Sequence, residues 1–443
     1  MDRNNAREQN LRNARSGHLL CRAHQEIRQV RCMFLREPMS ADDLVERARR
    51  STRLEDFGDT PFREGLSTLL HACAEEADLS LFGQLGTRWD IGRLLSNLLR
   101  LHDEERRAPE ILECPIEQPI FITGLPRSGT TFLHQLLAAD QQNLVPRVWQ
   151  LIHPYLENGR AQNDRRRLRV ARQLRIFQML SPGFRRMHPI GPDSPQECSE
   201  ITAHIFASPR FDTTYFVPSY RRWLDGIGHL NALRFHKRFL QHLQYQAGRW
   251  GRWVLKCPDH VFALAEIRAV YPDARFVFVH RDPLQVIASV ARLTEVLRRP
   301  FTRHIDRAAL GRQEIDRWSL GAKLLIRAAD EQPFAEPICH IHYRDLTRDP
   351  AGTVKKLYTH FGLALKPTAV SRIEQLVQTN PNGGYGVNQY RFDTYQIDPD
   401  AARERFEDYT RRFGISIKKP LPSDRRPSVP TQPLDSLKAE PAD

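Results

Sequence analysis

The chain has 443 residues, of which 40% are hydrophobic and 27% charged, and its formal net charge is +13 at pH 7. This composition supplies enough apolar side chains for a sizeable core, so a globally disordered protein is excluded. The positive charge favours an anionic partner and leaves three classes open, namely nucleic acid, a membrane surface, and a phosphorylated or sulfated small molecule.

Hydropathy and cysteine usage indicate the compartment. No run approaches the roughly 18 apolar residues that span a bilayer. The opening segment, MDRNNAREQNLRNARSGHLL, lacks the apolar centre of a signal peptide. The seven cysteines form no C-x-x-C pair and no zinc-like cluster with histidine. We therefore predict a cytoplasmic protein with no transmembrane segment, no disulfide framework and no metal.

The first part of the chain, residues 1–115, is predicted to be a helical extension. Its apolar residues are spaced by three and four, without strand-like runs, in Asp43–Arg50, Pro61–Glu76 and Ile91–Glu105. A helical region of this kind needs a partner for its apolar faces. We expect it to pack on another structural unit.

From Pro119 onward, short apolar strands alternate with helices. The predicted strands are Ile120–Thr123, Trp253–Leu255, Arg275–Val279 and Ile338–His342. The helices that follow them are predicted at Thr130–Ala139, Ala263–Val270, Leu284–Arg298 and Pro350–Phe361, and a final helix is predicted at Asp400–Phe413. This alternation is typical of an α/β protein whose central parallel sheet is covered by helices on both faces.

The domain organisation follows from these elements. We predict a main domain over residues 116–419, interrupted at 144–251 by a basic, helical insertion that builds an acceptor pocket over the sheet. The stretch 420–443 is rich in Pro, Ser and charge and is predicted to be a disordered tail.

The first predicted strand runs into the turn GLPRSGTT, residues Gly124–Thr131. A glycine-containing turn between a strand and a helix presents backbone N–H groups to an anion at the helix N-terminus. The spacing G-x-x-x-x-G is that of a P-loop, but Thr130 stands where the lysine that reaches the β- and γ-phosphates should be. ATP or GTP hydrolysis is therefore disfavoured, while a ligand with one phosphate and one further anionic group still fits.

At this point the sequence resembles the sulfotransferases that use 3′-phosphoadenylyl sulfate (PAPS), whose 5′-phosphosulfate loop often reads P-R-S-G-T-T. The resemblance implies a P-loop-like three-layer fold and a PAPS site. The aromatic residue after the loop stacks on adenine in cytosolic members of that family. The residues implied to bind the 5′ side and the adenine are Arg127, Ser128, Gly129, Thr130, Thr131 and Phe132.

A second motif, VFVHRDP, ends the strand Arg275–Val279 and places Arg281 eight residues before Ser289. An arginine with a nearby hydroxyl makes charge-assisted bonds to phosphate. The resemblance implies that Arg281 and Ser289 hold the 3′-phosphate of PAPS. Because ligands of parallel sheets bind at the carboxyl ends of strands, both motifs are expected on one rim.

Sulfuryl transfer builds negative charge on the departing phosphate oxygen, so cations must lie close to it. Arg127 is one candidate and Lys256, which ends the strand Trp253–Leu255, is the other. Lys256 resembles the strand lysine that steadies the sulfuryl group in tyrosylprotein and bacterial sulfotransferases.

A general base must take the acceptor proton. The tyrosylprotein branch carries a glutamate where Gln150 stands, and an amide cannot act as this base. The candidates, in order, are Glu197 in the stretch SPQEC, His260 in KCPDH, and His134 on the helix after the loop, with His153 as a further possibility.

The resemblance to bacterial sulfotransferase-like proteins extends over most of residues 40–415. The late segment Asn382–Gly386 is either a loop that closes over the 3′-phosphate or a plain surface turn, which is the favoured reading. We expect transfer from PAPS by in-line displacement to a hydroxyl or amine of a small-molecule acceptor, without nucleic acid. The alternatives are a P-loop-type nucleotide kinase and a non-enzymatic anion- or nucleic-acid-binding protein. The acceptor and the oligomeric state stay open.

Overall fold

The structure is a computed structural model that describes residues 39–156, 164–180, 190–331, 337–379 and 392–416. The predicted tail, the segment Asn382–Gly386 and residues 1–38 of the predicted extension lie outside these ranges. The domain boundaries placed at 115 and 419 stay predictions.

Five parallel strands form a single sheet in the order β2-β3-β1-β4-β5. The strands are β1 Ile120–Gly124, β2 Asn143–Leu144, β3 Arg252–Lys256, β4 Arg275–His280 and β5 Cys339–His342. The predicted parallel sheet is confirmed. Of these five strands, β2 was not predicted, because two residues are too few to show a hydrophobic pattern.

The helices occupy three stretches of the chain. The N-terminal stretch contains α1 Ala41–Thr52, α2 Arg63–Glu75 and α3 Leu81–Arg107. Between β1 and β3 lie α4 Thr130–Ala138, α5 Val148–Ile152, α6 Arg166–Leu180, α7 Ser199–Thr202, α8 Arg210–Thr214, α9 Pro218–Ile227 and α10 Leu230–Ala247. The later helices are α11 Leu264–Val270, α12 Pro283–Arg298, α13 Arg307–Asp330, α14 Tyr343–Arg348, α15 Pro350–His360, α16 Pro367–Thr379, α17 Pro399–Arg405 and α18 Glu407–Arg412.

Alternate residues of the buried strands face two different cores. In β1, Ile120 and Ile122 belong to the core formed with α4 and α15, whereas Phe121 belongs to the larger core formed with α12 and α13. Strands β3 and β4 divide their side chains in the same way. This alternation produces a helix–sheet–helix sandwich, so the predicted three-layer fold is confirmed.

The helices α1 to α3 contribute to the same core as Phe121. Ser80 caps α3, because its hydroxyl accepts from the backbone N–H of Gly83 at 3.0 Å. Its backbone N–H donates to the carbonyl of Phe301 at 2.8 Å, which ties the start of α3 to the loop after α12. The described part of the N-terminal region therefore packs on the later part of the chain.

Two helical features differ from the sequence-based expectation. Helix α13 was not predicted, and it supplies buried side chains such as Trp318 and Leu325 to the larger core. The single helix expected over Asp400–Phe413 is divided at Phe406, which has φ −112° and ψ 8°. The side chain of Phe406 is fully buried.

The described part of the chain contains no helix that is both long enough and apolar enough to cross a bilayer. The cytoplasmic location stays a prediction.

Candidate functional site

The loop after β1 requires glycine at both ends. Gly124 has φ 141°, and a Cβ there would lie 2.4 Å from the carbonyl oxygen of Val279. Gly129 has φ 97°, and its Cβ would lie 2.8 Å from the ring of Tyr343. Helix α4 starts at Thr130, so the N–H groups of its first turn lie at the loop, where the helix N-terminus favours negative charge.

The two motifs predicted to bind the nucleotide are in direct contact. Nε of Arg127 donates to Oγ of Ser289 at 3.1 Å, and Nη1 of Arg281 donates to the carbonyl of Arg127 at 2.6 Å. The guanidinium of Arg281 also donates to Gln285 at 3.2 Å and lies 4.0 Å from the ring centroid of Tyr343. The structure thus brings Arg127, Arg281 and Ser289 onto one rim of the sheet.

The buried hydroxyl of Ser128 is available to hydrogen-bond a ligand. Ser128 is fully buried, and its hydroxyl has no hydrogen-bond partner within the described ranges of the chain. A buried hydroxyl without a partner is costly unless something else satisfies it. An anion held by the loop would accept this hydrogen bond, so the residues present fit a bound phosphate or sulfate.

Lys256, at the end of β3, lies beside the start of α4. Its Nζ donates to Oγ1 of Thr131 at 3.3 Å and forms an ion pair with Oε1 of Glu197 at 2.5 Å. The Lys256 side chain is 2% exposed, whereas that of Glu197 is 30% exposed. The buried ammonium therefore lies on the loop side of the pair, and the carboxylate reaches the more open side.

Backbone contacts hold Glu197 in this position. The N–H of Cys198 donates to the carbonyl of Lys256 at 3.0 Å, and the N–H of Gln196 donates to the carbonyl of Pro146 at 2.9 Å. The segment that carries Glu197 is thereby fastened on both sides, to the end of β3 and to the stretch after β2.

His260 lies in a different environment from Glu197. Its ring packs edge-on against Phe121, with ring centroids 5.2 Å apart, and burial holds its pKa well below the ordinary value. Neighbouring Asp259 instead pairs with Arg317 at 3.1 Å and with Arg221 at 3.5 Å. Burial raises the pKa of Asp259 to about 6, although Arg221 acts in the opposite direction. The aromatic contact favours a structural role for His260.

The remaining histidine candidates are also buried. His134 donates from Nε2 to the carbonyl of Val254 at 3.0 Å, and burial, assisted by Lys256, lowers its pKa to about 3. His153 follows α5 and lies edge-on to Tyr155. Burial therefore opposes protonation of the His134 ring, whereas Glu197 contacts Lys256 directly.

Phe132 lies in the core below the loop rather than on an open surface. It is 3% exposed and belongs to the core formed by α4 and α15. Its stacking on adenine stays a prediction that the proposal below does not use.

Sequence reasoning assigned no role to Tyr343 or Gln285, both of which contact Arg281. The signal available for Tyr343 was its place directly after β5, at the same rim as the other strand ends. Across the part of the chain that the structure covers, no three His, Cys, Asp or Glu side chains are grouped to hold a metal.

Comparison with known proteins identifies the family. The model of the sulfotransferase family matches residues 119–367, which is more than half of the chain. Omega-hydroxy-beta-dihydromenaquinone-9 sulfotransferase Stf3 of Mycobacterium bovis is 26% identical over 336 residues, covering 71% of this chain and 79% of the relative. The protein of the same name from Mycobacterium tuberculosis matches equally well.

Solved structures agree with this result. The crystal structure of sulfotransferase STF1 from Mycobacterium tuberculosis is similar with a TM-score of 0.72 and 29% identity, covering 83% of this chain and 98% of that one. Sulfotransferase STF9 from Mycobacterium avium is similar with a TM-score of 0.78 and 26% identity, covering 87% and 99%. These likenesses decide against a nucleotide kinase and against a non-enzymatic anion-binding protein. The chain belongs to the sulfotransferase family and is an enzyme of sulfuryl transfer.

Proposed function

We propose that the sulfuryl donor is PAPS and that the acceptor is a small molecule with a hydroxyl group, or alternatively an amine. The observation that carries the donor proposal is the direct contact between two phosphate-binding motifs, in which Arg281 donates to the Arg127 carbonyl and Arg127 donates to Ser289. Two adjacent cationic cradles suit an adenosine with phosphate groups at both its 3′ and 5′ positions.

The 5′ cradle comprises the loop and the start of α4. Backbone N–H groups at the helix N-terminus, the buried hydroxyl of Ser128 and the hydroxyl groups of Thr130 and Thr131 supply the hydrogen bonds. The absence of a lysine at position 130 suits this assignment, because a phosphosulfate offers no β/γ-phosphate pair for it.

The 3′ cradle comprises Arg281 and Ser289, which both contact Arg127. The guanidinium of Arg281 is oriented by Gln285 and by the ring of Tyr343, which reduces the orientational freedom that a ligand would otherwise have to remove. A fixed arginine of this kind can contact a phosphate through two parallel hydrogen bonds.

In the reaction, the acceptor oxygen forms a bond to sulfur while the bond from sulfur to the 5′-phosphate oxygen breaks. The electron pair of the broken bond remains on the phosphate, where Lys256 and Arg127 stabilise the developing charge. Glu197 takes the proton of the acceptor hydroxyl. The 2.5 Å contact between Lys256 and Glu197 supports assigning the cation and the base to one reaction centre.

The acceptor proposal draws on the relatives named above. These relatives are named for omega-hydroxy-beta-dihydromenaquinone-9, which is a lipid alcohol. We infer that the acceptor here also has a hydroxyl on an apolar body. The acceptor assay uses radiolabelled PAPS with lipid alcohols, phenols, sugars and amines, and transfer to amines alone would contradict the hydroxyl assignment.

The donor is tested by calorimetry with adenosine 3′,5′-bisphosphate and adenosine 5′-phosphate. The parent protein should bind the bisphosphate more tightly, and Arg281→Ala should lose that preference by about tenfold to a hundredfold. The matched control is Arg303→Ala, which removes an exposed arginine paired with Asp78. Equal affinity of Arg281→Ala and the parent for the bisphosphate would contradict the 3′ assignment.

A further inference from the structure

The outer face of α6 combines apolar and cationic side chains. Leu168, Ile176 and Met179 are 65%, 54% and 75% exposed. Arg172 and Arg175 are also exposed and, at helical spacing, share this face. The fifteen residues of α6 include no acid. Exposed apolar side chains and arginines on one face can together contact the acyl and headgroup regions of a lipid surface.

The opposite face attaches α6 firmly to the protein. Val170 is fully buried, and Nη1 of Arg166 donates to the carbonyls of His153 at 3.0 Å and Tyr155 at 2.8 Å. The guanidinium of Arg166 also lies 4.8 Å from the ring centroid of Trp149 on α5. The outer face is therefore presented by a fixed helix.

A second apolar stripe lies on the first half of α3. Its exposed members recur at helical spacing and end in a tryptophan, which favours the boundary between lipid and water. They are Leu81, Phe82, Leu85 and Trp89. The guanidinium of Arg93 lies 5.9 Å from the Trp89 ring, and its Nη1 donates to the carbonyls of Leu151 and Ile152 at the end of α5. Helix α6 also packs on α5, so α3, through Arg93, and α6 both contact this short helix.

We propose that the outer face of α6 docks on an anionic lipid surface. The charge of the face and of the whole chain is complementary to acidic headgroups. Three exposed apolar residues on the same face favour lipid over nucleic acid, whose backbone offers them no apolar contact.

This face is connected to the proposed base. The guanidinium of Arg167 on α6 forms an ion pair with Asp193, whose carbonyl accepts from Arg147 at 2.9 Å. The segment that follows Asp193 leads directly to Glu197. Docking would place the active site next to the headgroup region, where lipid alcohols are present; this link to the acceptor rests on the proposed function.

The test is flotation of the full chain with vesicles of phosphatidylcholine, with and without about 30% phosphatidylglycerol. The parent should bind only the anionic vesicles. The charge reversals Arg172→Glu and Arg175→Glu together should weaken binding by about tenfold or more. The control pair Lys355→Glu and Lys356→Glu makes the same change of charge at exposed positions of α15 and should alter binding by less than about threefold.

A second variant separates lipid insertion from attraction between charges. Leu168→Ser with Met179→Ser keeps the net charge and should also weaken vesicle binding. If this variant binds vesicles as well as the parent, and duplex DNA competes for the binding, the partner of this face would be nucleic acid rather than a lipid surface. Failure of the parent to bind anionic vesicles, or an equal loss in the α15 control, would overturn the proposal.

Binding of adenosine 3′,5′-bisphosphate, measured on the same variants, reports on the nucleotide site and on folding independently. If the parent binds the nucleotide but not the vesicles, only the proposed docking face is rejected. Vesicle binding without nucleotide binding by the parent contradicts the proposed donor and leaves the docking face standing.

Discussion

The Nζ atom of Lys256 lies 2.5 Å from Oε1 of Glu197, so the proposed cation and the proposed base form one ion pair. A sulfuryl group that approaches Lys256 carries negative charge and competes with Glu197 for the ammonium. Donor binding would thus loosen the carboxylate at the point where the acceptor proton must be taken. In the proposed mechanism, donor binding would thereby activate the base.

Replacement of Glu197 by glutamine should remove the base while keeping the size of the side chain. We expect the turnover number to fall by about a hundredfold to a thousandfold, because general base catalysis contributes on that scale. Affinity for adenosine 3′,5′-bisphosphate should change little. Steady-state rates with radiolabelled PAPS and calorimetry separate the two effects, and a rate within a few-fold of the parent would transfer the role to another residue.

Lys256→Ala should lower turnover more than nucleotide affinity, because its charge is needed most when the phosphate oxygen departs. Lys256→Arg retains the charge and should recover part of the rate. The comparison requires single-turnover rates at saturating PAPS. Turnover equal to the parent with a competent acceptor would exclude Lys256 from the mechanism.

Gly129→Ala should destabilise the loop for two reasons, the positive φ and the contact of the new Cβ with Tyr343. Gly362→Ala is a matched control, since Gly362 has φ 61° and nothing within 4 Å of the added Cβ. A positive φ alone costs about 1–2 kcal/mol, so the melting temperature should fall further at position 129. Nucleotide binding should also be lost only there. Equal decreases of the two melting temperatures would show that the Tyr343 ring moves away from the added Cβ at no cost in stability.

Acid should destabilise the protein through its buried histidines. Burial lowers the pKa of His236 to about 3 from an ordinary value of 6.5, and its Nδ1 lies 2.8 Å from the Tyr271 hydroxyl. In the unfolded chain this histidine becomes protonated below pH 6.5, whereas in the folded chain it stays neutral down to about pH 3. Its contribution to the free energy of unfolding is therefore complete above pH 6.5 and is lost as the pH falls.

At pH 5 this histidine alone should account for about 2 kcal/mol of the lost unfolding free energy. Urea unfolding of His236→Gln should therefore show a smaller decrease between pH 7 and pH 5 than the parent. His71→Gln, at an exposed position, serves as the control. A decrease in His236→Gln as large as in the parent would assign the acid sensitivity to other groups.

Local patterns sufficed for four of the five strands in the described sheet and for locating the two motifs that are proposed to bind the nucleotide. Strand β1 is a short apolar run that leads straight into a glycine turn, and both features are encoded within about ten neighbouring residues. Arg281 was placed at a strand end for the same reason. Helix α13 was missed because its apolar positions are diluted by charged residues and become evident only when the larger core is seen.

By itself, the sequence determined the alternation of strands and helices, the anion-binding loop and the arginine that follows β4, because each depends on short-range spacing. Only the tertiary structure decided that Glu197, rather than His260, meets Lys256, and that Tyr343 lies against Arg281. These contacts join segments that are far apart in the chain. Their geometry depends on which strand ends meet at one rim of the sheet and on the backbone hydrogen bonds between segments. No local sequence pattern encodes either of these.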